Sequence, residues 1–152
     1  MAIWFRTHLR SISVRAKTIQ RVTQAILVQA GYPTAQLSLS LVGKTRMRSL
    51  NRQYRARDYP TDVLAFPMES MGEQQEIFLG DVVICLPIAI EQASRFDNTA
   101  NQEILRLLIH GTLHLLGYDH EQSPREATRM QRKERAIFRT FSPVPQFLSA
   151  IK

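Results

Sequence analysis

The stretch Ile104-Leu105-Arg106-Leu107-Leu108-Ile109-His110-Gly111-Thr112-Leu113-His114-Leu115-Leu116-Gly117-Tyr118-Asp119-His120 holds three of the chain's four histidines. At helical spacing its leucines and isoleucines leave almost no polar face. A helix apolar nearly all round is a buried one, so the rest of the chain is expected to wrap it. His110 and His114 lie four apart, on one face, with Cβ atoms roughly 5–6 Å apart. Two imidazoles so placed reach one metal ion at about 2.0–2.1 Å each. Gly117 can adopt the left-handed conformation that ends a helix, which allows His120 to return to the same point. Three imidazoles without an evident fourth protein ligand describe an open site that keeps a position for water or substrate. The competing reading is a pair of packed core histidines. The third histidine after a glycine break favours the metal, and each second ring nitrogen then needs a carbonyl or carboxylate partner.

Working outward, Thr99-x-x-Gln102 forms a capping box that starts this helix. Leu86-Pro87 opens an earlier helix reaching about Arg95, with proline in the first turn. Before it, Ile77 to Cys85 is an apolar strand interrupted by Gly80-Asp81. Asp81 is either a hydrogen-bonded structural carboxylate or part of a cleft wall, and in the second case a candidate general base. Glu69 to Glu76 reads as an acidic loop and Asp62 to Phe66 as a strand closed by Pro67. Thr45 to Tyr54 reads as a short helix carrying Met47, Leu50 and Tyr54 inward. Gln36 to Val42 alternates with period two, as in a half-buried strand. Val14 to Ala30 reads as a helix with Ser13 as N-cap and Gly31 as stop, and Ala2 to Thr7 as a strand. Downstream, Ser123-Pro124-Arg125-Glu126 starts a final helix to about Phe138. The Pro143/Pro145 tail is expected to end regular structure. The class is α+β: one small mixed sheet of about four strands, covered by about five helices, with the histidine helix buried at the centre. Strand order is not readable from the pattern.

The 152 residues are expected to form a single domain burying about two-thirds of the unfolded chain's surface. One cysteine, Cys85, permits no internal disulfide and suits a reducing cytosol. Its Val-Val-Ile-Cys-Leu setting indicates a buried strand thiol. No run approaches the ~18 apolar residues of a membrane span. The Arg-rich, acid-free segment from Phe5 to Lys17 weakly resembles a transit peptide but carries strand and helix patterning, so it is read as folded and the protein as cytoplasmic. The formal charge is +7, and 16 of the 20 basic residues are arginine. That balance points to a polyanionic partner, nucleic acid first, with arginine forks matched to phosphate oxygens. Charge alone does not separate RNA from DNA or from an acidic protein. Lys44, Arg46, Arg48, Arg52, Arg55 and Arg57 place six cations in fourteen residues. The block reads as a phosphate-tracking groove leading to the metal, with a solvated helix face as the alternative.

The histidine run resembles the H-G-x-L-H-L-x-G-Y-D-H signature of the YbeY family of bacterial rRNA-maturation endoribonucleases. Leu50-Asn51-Arg52-Gln53-Tyr54-Arg55 followed by Pro60-Thr61-Asp62-Val63-Leu64-Ala65-Phe66-Pro67 resembles a second block of that family, and Leu79-Gly80-Asp81-Val82-Val83-Ile84 a third. Met130 and Glu134 match the helix that follows. The blocks span about Leu37 to Ile137 in the right order. Asn98-Thr99-Ala100-Asn101 departs from the Gly-His-Ser-like turn often found there. The resemblance implies a metal-dependent endoribonuclease that prefers single-stranded RNA. It implies action in 16S rRNA 3′-end maturation and ribosome quality control, with a ribosomal RNA precursor as substrate and ribosomal or small-subunit proteins as partners, and neither DNA nor membrane. It carries over His110, His114 and His120 as ligands of one zinc ion, or of another divalent metal such as nickel. It also carries over Arg55 as the basic residue at the cleft. Arg55 and His114 are then the catalytic pair, Arg55 neutralising charge on the phosphorane oxygens; its alternative is a salt bridge to Asp58 or Asp62.

Two other functions compete. Metzincin proteases share the H-x3-H-x5-H spacing but need a glutamate directly after the first histidine as general base, where this chain has Gly111. A ribosome-assembly factor with a structural metal would ordinarily show four protein ligands, often cysteines, and neither is evident.

Overall fold

The computed structural model describes residues 3–68, 77–119 and 123–149. The expected loop Glu69–Glu76 and the third histidine, His120, lie outside the described residues. The chain runs β1 (Ile3–Thr7), α1 (Ala16–Gln29), β2 (Gln36–Val42), α2 (Lys44–Arg55), β3 (Val63–Pro67), β4 (Phe78–Cys85), α3 (Leu86–Arg95), α4 (Ala100–Leu115) and α5 (Pro124–Arg139). The strands form one mixed sheet in the order β1-β2-β4-β3. β1, β2 and β4 are parallel, and β3 pairs antiparallel with β4 along its edge.

Period-two alternation assigns the two faces. Leu37, Leu39, Leu41, Val82 and Ile84 belong to the main core, against buried residues of α1, α3, α4 and α5. Val42, Leu64, Val83 and Cys85 point the other way and pack with Met47 of α2. α4 is buried on nearly every side, as its leucine and isoleucine pattern requires. Its capping box is complete: Gln102 N donates to Thr99 Oγ1 at 3.0 Å and Thr99 N donates to Gln102 Oε1 at 2.8 Å. Cys85 is fully buried, and burial pushes its thiol pKa up, which keeps it protonated and unreactive.

Three expectations need correction. Ser13 does not cap α1, which begins at Ala16 behind an Arg15 that makes no side-chain cap. The backbone there is taken by the C-terminal tail: Ser149 N donates to Ser13 O at 2.9 Å and Arg15 N to Phe147 O at 2.8 Å. Nor does the tail simply end regular structure. Val14 and Leu148 form an antiparallel bridge, and Phe147 is fully buried. Burial of such a ring contributes about 1.5–3 kcal/mol. The Phe147 N–H donates to Asn101 Oδ1 at 2.9 Å, so the departure from the family pattern at Asn101 holds this tail. Tyr54, expected inward, is 60% exposed and stands edge-on to Phe66 at 5.0 Å.

Candidate active site

α4 lies across the sheet with Gly111 at its closest approach. A Cβ on Gly111 would stand 2.6 Å from Val82 Cγ1 and 3.4 Å from Val63 Cγ2. The absent side chain is therefore a packing requirement, and position 111 faces the sheet instead of the histidines. A glutamate there would collide with β4, which removes the protease chemistry on steric grounds as well as on sequence.

His110 and His114 stand side by side, ring centroids 4.8 Å apart and planes at 62°. Glu134 of α5 meets His110 from behind, its Oε1 3.0 Å from Nδ1. A carboxylate at that distance holds the proton on Nδ1 and leaves Nε2 as a lone-pair donor, the arrangement that orients metal-binding histidines. Among the described residues no group of three or more His, Cys, Asp or Glu is arranged to hold a metal ion. The donor set that is described, two adjacent imidazoles with one backed by a carboxylate, fits a borderline cation such as zinc. Replacing Glu134 with glutamine should weaken zinc binding by about 10–100-fold. A competition titration against a coloured chelator reads this without reference to activity; an unchanged affinity would make the contact merely structural.

A cleft of about 220 Å³ opens over these rings, lined among others by Arg55, Arg57, Thr61, Asp62, His110 and His114. Arg55 arrives from the last turn of α2, on the opposite face of the sheet. α2 stops at Ala56, which takes the left-handed conformation at φ 56°. The chain then passes around the β3 edge. Asn51, 1% exposed, pins this crossing: its Nδ2 donates to Tyr59 O at 2.8 Å, while its own carbonyl accepts from Arg57 N at 3.3 Å. Asp62 stands immediately before β3, with Oδ1 accepting from Val63 N at 2.8 Å. Its Oδ2 lies 3.5 Å from Arg106 and, with the Gln92 amide turned to donate, 3.2 Å from that nitrogen. Gln92 and Arg106 both also reach the buried Glu103, with Arg106 Nε 3.0 Å from its Oε1. Burial opposes the Arg106 charge, but the Glu103 hydrogen bond and the surrounding carboxylates outweigh it and raise its pKa.

The six-cation block does not share one surface. Arg55 and Arg57 line the histidine cleft. Lys44 is paired with Glu91. Arg48 forks onto Asp58 at 2.9 and 3.0 Å. That hydrogen bond holds the Asp58 carboxyl below its usual range, with Arg52 adding to the effect. Arg46 lines a second cleft, of about 280 Å³, with Arg6, His8, Tyr54, Phe66 and Asp81. That cleft lies on the α2 face of the sheet. Asp81 alternates with Val82, the residue against Gly111, so it points away from the histidines and is not their base. Sequence reasoning matched Glu134 to a family position without giving it a role. The available signal was its spacing from Met130 and Ile137, the buried residues of α5, which puts a carboxylate beside the buried face. Asp62 entered only as a possible partner of Arg55; the structure makes it a wall of the cleft.

A profile of the family described as Endoribonuclease YbeY matches residues 5–142. The chain is 41% identical over 127 residues to a protein of Persephonella marina named Endoribonuclease YbeY, covering 83% of each. It is 39% identical over 128 residues to one of the same name from Sulfurihydrogenibium sp., covering 84% of each. The solution structure of TM1509 from Thermotoga maritima superposes with a TM-score of 0.62 at 28% identity, over 90% of this chain and 86% of that one.

Proposed function

This chain belongs to the endoribonuclease YbeY family, and on that premise we propose that it is a metal-dependent endoribonuclease that prefers single-stranded RNA and acts in 16S rRNA 3′-end maturation. One observation carries the reading: two histidines and two arginines from opposite faces of the sheet meet over one cleft, with Glu134 behind His110. His110 and His114, with His120, are the residues that would hold the cation. A zinc ion bound there supplies Lewis acidity, bringing the pKa of water towards about 7 and polarising a phosphoryl oxygen.

The remaining work falls to the chain's own groups. Arg55 and Arg57 bind the scissile phosphate, and the planar fork of Arg55 matches the paired oxygens on which charge accumulates. Glu134 keeps the proton of His110 on Nδ1. Asp62, bound by the backbone of Val63 and by Arg106, holds the β3 end of the cleft in place. Val63 and Ala65 of β3 wall the cleft beside Gly111. The cleft, of about 220 Å³, is of a size to take the scissile phosphate between the arginines and the histidines. Family membership supports a ribosomal RNA precursor as substrate, ribosomal proteins as partners and a cytoplasmic location. No helix among the described residues is long and apolar enough to cross a membrane.

The preference is tested with one labelled RNA, presented alone or annealed to its complement, in the presence of zinc. Internal cleavage of the free strand with the duplex spared is the expected result. Equal cleavage of both, or of neither, overturns the reading.

A further inference from the structure

The last helix carries a surface that the cleft does not use. α5 has six basic residues, Arg125, Arg129, Arg132, Lys133, Arg135 and Arg139, against two acidic ones, Glu126 and Glu134. Of those two, Glu134 is turned to His110 and Glu126 lies 3.5 Å from Arg129. Four of the cations, Arg125, Arg129, Arg132 and Lys133, line an open trough of about 760 Å³ together with Tyr118 and Glu126. The Arg129 guanidinium lies 4.6 Å above the Tyr118 ring. This cation–π contact fixes one arginine in the trough, with its Nη1 3.5 Å from Glu126 Oε2. Tyr118 is four residues beyond His114, so the trough begins at the chain segment that leaves the candidate centre. α5 also supplies Glu134 behind His110, so the helix that carries the trough also touches the candidate centre.

We propose that this α5 trough is a second track for single-stranded RNA, taking the phosphates of the strand beyond the cleaved link. The proposal rests on the ribonuclease reading. Arg125, Arg129 and Lys133 succeed one another every four residues, a rise of about 6 Å per step along the helix. That step is of the same order as the spacing of phosphates in an extended strand. Tyr118 serves by fixing the Arg129 cation in place, and a cationic groove that tracks the backbone binds single strands without sequence preference. The track makes affinity depend on strand length, because a short oligonucleotide filling the cleft does not reach Arg125.

The test compares wild type with the R125A/R129A/R132A/K133A variant by fluorescence anisotropy. A long unstructured RNA and a short one are titrated over a range of salt, and thermal unfolding checks the fold. Each lost phosphate contact should flatten the logarithmic salt dependence by about 0.7, and the four together should weaken long-strand binding roughly a hundredfold at low salt. Short-strand affinity should change far less. In wild-type protein, bound long RNA should shield Lys133 from an amine-acylating reagent, a readout that needs no variant to fold. Unchanged long-strand affinity and slope, or an unshielded Lys133, overturns the track and leaves the trough to an acidic protein or to solvent. A wild type that binds long RNA with steep salt dependence but never cuts it would count against the ribonuclease reading alone.

Discussion

Replacing His114 with alanine is expected to abolish RNA cleavage while leaving the fold intact. His114 contributes an imidazole to the cleft from the last turn of α4. Alanine is the best helix former, so the helix should persist. The loss should be chemical. An open site of three imidazoles that loses one keeps too few ligands to hold zinc. The Lewis acidity it provides is worth several kcal/mol, so cleavage should fall by at least about a thousandfold. Metal content measured on the purified variant should fall with it, and the circular dichroism spectrum should not. A variant that cuts RNA at the wild-type rate, or keeps a full equivalent of zinc, would contradict the assignment of His114.

Arg55 carries the second large effect. Arg55→Ala should lower kcat by about 10²–10³, the usual result of removing one charge-stabilising donor from a transition state. Metal content should be unaffected, because the arginine comes from α2 and not from the histidine helix. Arg55→Lys separates charge from geometry. A lysine restores the positive charge but not the fork, so it should recover only part of the loss. The structure supplies partners for both carboxylates that competed for Arg55: Asp58 receives the Arg48 fork, and Arg106 and Gln92 approach Asp62. An Arg55→Ala protein with wild-type kcat and a raised KM would reduce its role to uniform binding of substrate.

Much of this arrangement was legible in the chain because it is encoded locally. The capping box at Thr99 and Gln102, the buried helix and the facing His110 and His114 all follow from spacings of three and four residues. The Gln36–Val42 alternation placed a strand for the same reason. What sequence did not yield depends on partners distant along the chain. The order β1-β2-β4-β3 needs crossovers, and no period within a strand encodes its neighbour. Whether Asp81 served the histidines turned on which sheet face α4 occupies, which Val82 against Gly111 decides. The block from Lys44 to Arg57 looked continuous because its charges are adjacent in sequence. A helix distributes them around its axis, where Glu91 and Asp58 take two and the second cleft takes Arg46. The tail misled for a related reason: prolines ended its helical pattern, but Phe147 still had a place in the core.

Cleavage of the RNA that the arginines hold should require a cation in the site that His110, His114 and His120 would form. The most direct measurement of that requirement is cleavage of a single-stranded RNA by wild-type protein stripped of metal with a chelator, dialysed, and then titrated with zinc. The stripped protein should cut nothing, and activity should return with zinc and saturate at one equivalent. Undiminished cleavage by the stripped protein, with metal verified absent, would contradict that requirement.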